Sequence, residues 1–312
     1  MRILVVGCGA IGGVLAAHLA GVAEVTGFDI NAAHVAAIRD HGLLVTGAGG
    51  ELRARFDATE DAASLHASRF DAAIFLVKSG ATAAAAQALG PALGGAVLLT
   101  LPNGMGNAEA LSAIPGAVVG RGVTMNAGRY LAPGHVERLI HGQPSWMGPV
   151  APLRPLAEAF RAAGLPTELI EDPMGAVWAK FVFNAVMNPV GALLLGVNAA
   201  RYEVTEVREL IDEMAAEAMS VVQALGGRFA FDPMGFVAKV RAGEIPLSRH
   251  AGSMALDIAR GAPTEIEELT GFVVREGARL GIPVPACRTV HRLVKGLEYA
   301  AMQRAAERGG TI

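Results

Sequence analysis

Short, continuously apolar runs alternate with alanine-rich stretches over the first 125 residues. Arg2–Val6 (RILVV), Glu24–Phe28, Asp71–Val77 (DAAIFLV) and Ala96–Leu101 (AVLLTL) read as strands, and Ala10–Ala20, Asn31–Asp40 and Ala81–Leu89 as helices. Strands without polar alternation are buried on both faces, as in a parallel sheet covered by helices. Gly42–Phe56 is glycine-rich and reads as a hairpin inserted into that pattern. Residues 117–148, broken at Ala132-Pro133-Gly134 and Gly142-Gln143-Pro144, predict antiparallel strands at the sheet's edge. Near Asp172-Pro173 the pattern turns helical. Met174–Met187, Val204–Leu225, Pro233–Ala242, Glu265–Leu280 and Cys287–Arg304 are the expected helices, separated by loops such as Gly243–Pro246 and Gly281–Pro285. The expected fold class is α/β: a domain over residues 1–171 built on a parallel sheet, then an all-helical domain over residues 172–312.

Composition narrows the function classes. A chain of 312 residues accommodates two domains with real cores, and 52% hydrophobic with 18% charged residues excludes a disordered protein. A net charge of −3 argues against a general nucleic-acid binder. Cys8 and Cys287 make no disulfide framework and fit a reducing compartment. The eight histidines show no metal-ligand spacing, so no metal is expected. The first twenty residues carry Arg2 and an apolar run, as a signal peptide would, but four glycines within residues 7–13 make a poor signal core. No stretch has the length and apolarity of a membrane span. A soluble, cytoplasmic protein is expected, with a homodimer left open as its assembly.

Gly7-Cys8-Gly9-Ala10-Ile11-Gly12 is a GxGxxG motif between a predicted strand and a predicted helix. The glycines permit a tight turn and close approach of the backbone to a pyrophosphate, which lies at the positive end of the helix. Asp29 ends the second strand, 17 residues after Gly12, where a carboxylate accepts hydrogen bonds from the adenosine ribose. The first domain is therefore expected to be a Rossmann-type dinucleotide-binding domain. The Asp29 charge would repel the 2′-phosphate of NADP(H), and Ile30 and Asn31 supply no guanidinium to attract it, which favours NAD(H) and leaves NADP(H) as the alternative. The competing structural role for Asp29 is to cap the helix that starts near Asn31.

In the second domain, Trp178–Leu195 (WAKFVFNAVMNPVGALLL) places Lys180, Asn184 and Asn188 at i, i+4 and i+8, on one face of a helix. An ammonium and two amides on so apolar a helix must find partners or line a polar cavity. Burial lowers a lysine pKa and a neighbouring carboxylate raises it, so such a group can be tuned as an acid. The structural alternative is a snorkelling lysine beside two amides. Asn103, in the loop Leu101–Gly106 after the AVLLTL strand, falls at the sheet's carboxyl edge, although Asn-Gly is also a common turn. Pro263-Thr264-Glu265-Ile266-Glu267 reads as a helix start with Thr264 as N-cap and Glu267 closing a capping box. Glu265 would then lie in the first turn, and Ser253 in the segment before that helix.

Together GCGAIGG, NGMG, WAKFVFNAVMNP, GSM and PTEIEELTGF, in this order, resemble the ketopantoate reductase (2-dehydropantoate 2-reductase) family over essentially the whole chain. The resemblance implies hydride transfer from a nicotinamide cofactor to a 2-keto acid, in a cleft between a Rossmann-type and a helical domain. It assigns Lys180 as the general acid that protonates the keto oxygen and Glu265 as the supporting carboxylate. Asn103, Asn184, Asn188 and Ser253 match substrate-binding positions, with Asn103 also at the cofactor. Lys78, directly after the Asp71–Val77 strand, matches a cofactor-contacting lysine. The chain departs from the NADPH-using members at Ile30, where they carry arginine, and at Asp29, which they generally lack. An NAD-dependent D-2-hydroxy acid dehydrogenase of the same family is thus the alternative activity. A non-catalytic NAD(H) sensor would need no Lys180 stripe or Glu265; the β-hydroxyacid dehydrogenases share the two-domain plan and a lysine, and the NGMG and PTEIEELTGF segments favour the ketopantoate reductase family over them.

Overall fold

The computed structural model describes residues 1–101, 105–247 and 251–309. Internal contacts divide the chain into two units, Met1–Pro173 and Met174–Ile312.

The first unit runs β1 (Arg2–Val6), α1 (Ala10–Leu19), β2 (Glu24–Phe28), α2 (Ala32–His41), β3 (Leu43–Gly47), β4 (Leu52–Ala54), β5 (Asp57–Thr59), β6 (Ala72–Phe75), α3 (Thr82–Leu93), β7 (Val97–Thr100), α4 (Asn107–Ser112), β8 (Val118–Thr124), β9 (Gly128–Ala132), β10 (His135–Arg138), β11 (Ser145–Gly148), α5 (Val150–Ala162) and β12 (Thr167–Leu169). Eight strands form one sheet in the order β12-β11-β8-β7-β6-β1-β2-β5. Pairing is parallel from β8 through β5, while β11 runs antiparallel to β8. Ile3 and Val5 of β1 enter the core on one side of the sheet, Leu4 and Val6 the core on the other. That double burial is why β1 reads as an unbroken apolar run. The strand order reverses between β1 and β6, and ligands of open α/β sheets bind at the carboxyl ends beside such a reversal.

The structure corrects the reading of residues 117–148. β8 continues the parallel sheet, β11 alone pairs antiparallel within it, and β9 and β10 leave it. They join the β3–β4 hairpin in a second sheet, ordered β4-β3-β10-β9, in which β10 runs parallel to β3. The cause is packing: Leu43 and Val136 from this sheet close onto α1 at Gly13, where an added Cβ would stand 3.1 and 3.3 Å from them. Arg138, at 2% exposure, closes the sheet with its guanidinium satisfied by the Ile140 carbonyl, the Asn126 side chain and His18. α3 passes through Gly90-Pro91 to Leu93 instead of ending at Leu89, because Leu89, Ala92 and Leu93 are all buried. The sequence reading contained neither α4 and α5 nor β5 and β12.

The second unit comprises α6 (Met174–Leu193), α7 (Ala200–Glu203), α8 (Thr205–Ala224), α9 (Gly235–Arg241), α10 (Ser253–Arg260), α11 (Thr270–Leu280) and α12 (Pro285–Gly309), and is helical throughout its described residues. α6 does not stop at Met187 but continues through Pro189. A proline has no N–H for the carbonyl four residues back, here that of Ala185. The buried Thr270 hydroxyl donates to that carbonyl at 2.7 Å and keeps the helix intact. α11 in turn begins at Thr270 rather than Glu265, and the predicted capping box is not formed. Glu267 is drawn away by Arg275 and His291, the Thr264 N–H that it would have accepted goes to Glu298, and the Thr264 hydroxyl oxygen accepts the Ile266 N–H instead of that of Glu267.

Candidate active site

In the first unit the glycine loop leaves β1 at the sheet's point of reversal. Gly7 has φ +91° and its Cβ would stand 2.9 Å from the Val77 nitrogen, while a Cβ on Gly12 would collide with the Gly7 carbonyl. Only glycine fits either place. A Cβ on Gly9 would meet nothing within 4 Å, so the loop faces open space where Gly9, Ala10, Ile11 and Gly12 lead into the N-terminus of α1. This cradle fits the pyrophosphate of a dinucleotide. The Cys8 side chain points away from it. Cys8 is buried, its thiol pushed well above the ordinary range by burial and by the Asp29 charge, so the side chain is not offered to a ligand.

The Cys8 backbone is held on both sides. The Cys8 N–H donates to Asp29 Oδ2 at 2.8 Å, and its carbonyl lies 2.9 Å from His34 Nε2. His34 Nδ1 accepts the Gly134 N–H at 2.9 Å, which puts the proton of the neutral ring on Nε2, facing Cys8. The other oxygen of Asp29 accepts the Asn31 N–H at 2.9 Å, while Asn31 itself caps α2 by accepting from the His34 N–H. Each Asp29 oxygen thus retains a lone pair for a ribose hydroxyl. Ile30 beside it is 88% exposed. Lys78 is exposed after the carboxyl end of β6, adjacent to the strand that bears the glycine loop. Asn103 lies outside the described residues.

In the second unit Lys180, Asn184 and Asn188 stand on α6, within an arc of about 80° at 100° per residue. Asn184 and Asn188 are buried, and Lys180 is half-buried. Burial pushes the Lys180 ammonium down to about 8, against the opposing pull of the Glu265 carboxylate. Glu265 occupies the turn before α11, with the Leu269 N–H donating to its carbonyl at 3.1 Å. Ser253 is the exposed first residue of α10, the helix that precedes α11. The structure therefore couples Lys180 with Glu265 and aligns Lys180 with the two asparagines.

Sequence reasoning missed His34 and Glu298. His34 carries no motif, and its ring reaches a turn 100 residues away. Glu298 is a further case of partners distant in sequence, 34 residues from Thr264. Among the described residues no group of three or more His, Cys, Asp or Glu side chains could hold a metal ion, and no helix is long and apolar enough to cross a membrane.

A parallel sheet with a glycine loop at its reversal, followed by a helical unit with a lysine tuned by a carboxylate, is the plan of a two-domain NAD(P)-dependent oxidoreductase. The chain belongs to the PanE/ApbA ketopantoate reductase family: residues 3–152 match the model for ketopantoate reductase PanE/ApbA, and residues 172–298 that for its C-terminal part. It is 32% identical to a 2-dehydropantoate 2-reductase of Halobacterium salinarum over 301 residues, 95% of this chain and 98% of that one. A PanE/ApbA family ketopantoate reductase from Ralstonia eutropha superposes with a TM-score of 0.86 at 32% identity, covering 96% of this chain and 99% of its own. D-mandelate dehydrogenase, in a ternary structure with NADH and anilino(oxo)acetate, shares the fold with a TM-score of 0.87 at 23% identity, over 96% of this chain and 99% of that one.

Proposed function

We propose that this oxidoreductase reduces a branched 2-keto acid, 2-dehydropantoate, to the 2-hydroxy acid with NADH. The observation that carries the reading is the Lys180–Glu265 pair, with Asn184 and Asn188 on the same helix face as the lysine. When bound, the dinucleotide supplies the hydride. As negative charge develops on the keto oxygen, the Lys180 ammonium stabilises it and gives it a proton. An acid with a pKa of about 8 is largely protonated at neutral pH yet gives up its proton far more readily than an ordinary lysine. Glu265 holds the ammonium in its charged form. Asn184, Asn188 and Ser253, with Asn103, orient the substrate. The backbone of Gly7–Gly12 receives the pyrophosphate, Asp29 the ribose hydroxyls, and Lys78 supports the cofactor after β6.

The choice of NAD(H) is supported by the Asp29 carboxylate and by an exposed Ile30 where a guanidinium would be needed. The same two positions favour a second reading, an NAD-dependent D-2-hydroxy acid dehydrogenase for another branched or aromatic substrate. Comparing kcat/KM across a panel of 2-keto acids separates the two. The catalytic role is tested by Lys180→Ala, which should lower the reduction rate by about 10²–10⁴-fold and leave the dinucleotide Kd nearly unchanged. Wild-type turnover by that variant at pH 7 would refute the assignment.

A further inference from the structure

Loop 263–269 carries Glu265 but forms no regular helix, so something else must fix it. α12 presents His291, Lys295 and Glu298 at i, i+4 and i+7, on one face. The Glu298 carboxylate, 8% exposed, accepts the Thr264 N–H at 2.7 Å and the Thr264 hydroxyl at 2.9 Å on a single oxygen. Its second oxygen takes the Lys295 ammonium at 2.9 Å. Three residues further along the loop, Glu267 is held by Arg275 of α11 at 3.1 Å, by His291 at 3.2 Å and by Lys295 at 3.6 Å. Arg275 also donates to the Glu267 carbonyl at 3.0 Å. Glu265 lies between these two anchored residues.

We propose that Glu298 is a positioning residue for the reaction: by gripping both donors of Thr264 it fixes the loop on which Glu265 faces Lys180. The inference rests on the roles given above to Lys180 and Glu265. A buried acid receiving two hydrogen bonds from one residue constrains both the backbone and the side chain of that residue. The titratable and charged groups facing the grip are Lys295 on the same helix, Glu267 on the loop, and Arg275 and His291 around Glu267. Burial works against the charge on Glu298, yet the Thr264 and Lys295 donors hold its carboxyl below the usual range, so it stays ionised at neutral pH. Loss of the grip releases the turn one residue before Glu265, and the carboxylate that keeps Lys180 charged moves away from it.

The test compares pH–rate profiles of keto-acid reduction for wild type, Glu298→Ala, Glu298→Gln, Thr264→Val and Glu265→Gln, with circular dichroism to verify folding. Glu298→Ala should lower kcat by about 10- to 100-fold, the scale of a small displacement of a catalytic group. It should also move the alkaline limb toward lower pH by about one unit, the shift expected when an opposite charge departs. Dinucleotide KM should not change. Glu298→Gln should recover most of the rate, because an amide oxygen still accepts both Thr264 donors. Thr264→Val, which removes one of the two bonds to Glu298 and the weaker bond from the Ile266 N–H at 3.3 Å, should change kcat and the limb in the same direction by less, and it decides the matter if Glu298→Ala does not fold. An unmoved limb and unchanged kcat in these folded variants overturn the brace. If Glu265→Gln moves the limb while they do not, the brace alone is wrong. If Glu265→Gln also leaves it unmoved, the reading of the site fails and the brace with it.

Discussion

Raising the pH from 7 to 9 should cost the enzyme about nine-tenths of its reduction rate. The perturbation acts on Lys180, whose burial brings its pKa to about 8 in spite of Glu265. A group with that pKa is about 90% protonated at pH 7 and about 10% at pH 9, whereas an ordinary lysine near 10.4 is still about 95% protonated at pH 9. If the protonated form alone delivers the proton, kcat/KM for reduction falls roughly tenfold over this interval, since kcat/KM reports the free enzyme. The reverse reaction needs the neutral amine and should gain over the same range, which separates titration from loss of fold. The assay follows dinucleotide absorbance in both directions, in buffers of constant ionic strength, between pH 6 and pH 10. Rates flat to pH 9 in both directions would mean that Lys180 is not the titrating acid.

Two further predictions concern single contacts. Thr270→Val removes the hydroxyl that serves the Ala185 carbonyl, leaving a buried acceptor unpaired at a cost of about 1–3 kcal/mol and lowering the melting temperature by several degrees. In a Pro189→Ala background, where a restored N–H can serve that carbonyl, the same change should cost much less; equal costs in thermal melts of both backgrounds would refute the compensation. Asp29→Ala combined with Ile30→Arg should shift the cofactor preference toward NADPH by tenfold or more, a charge-assisted phosphate contact contributing about 1.5–3 kcal/mol. An unchanged ratio of the two kcat/KM values would mean that these residues do not face the ribose.

What was legible in the sequence is what depends on near neighbours. The glycine loop declares itself because Gly7 and Gly12, five positions apart, crowd one another within one short turn, and the Lys180–Asn184–Asn188 stripe follows from helix periodicity. Elements that depend on distant partners were read wrongly. α6 continues through Pro189 only because a hydroxyl 85 residues beyond Ala185 replaces the missing donor. β10 pairs with β3 across some ninety residues, so its departure from the main sheet has no local signal. Thr264 and Glu267 have the spacing of a capping box, but Glu298, Arg275 and His291 compete for the same atoms and prevail. For Asp29 the sequence favours the ribose role over a cap on the second helix, and in the structure that cap is Asn31. The Asp29 carboxylate already holds Cys8 and Asn31 and keeps lone pairs for a ligand.

The central claim, an NADH-dependent reductase of a branched 2-keto acid, meets its most direct test in one steady-state comparison. The purified protein is given 2-dehydropantoate with NADH and, in parallel, with NADPH, and kcat/KM is measured for each. The account predicts turnover of this substrate with a preference for NADH of at least about tenfold, which corresponds to about 1.4 kcal/mol. A preference for NADPH, or no reduction of 2-dehydropantoate with either dinucleotide, would contradict it.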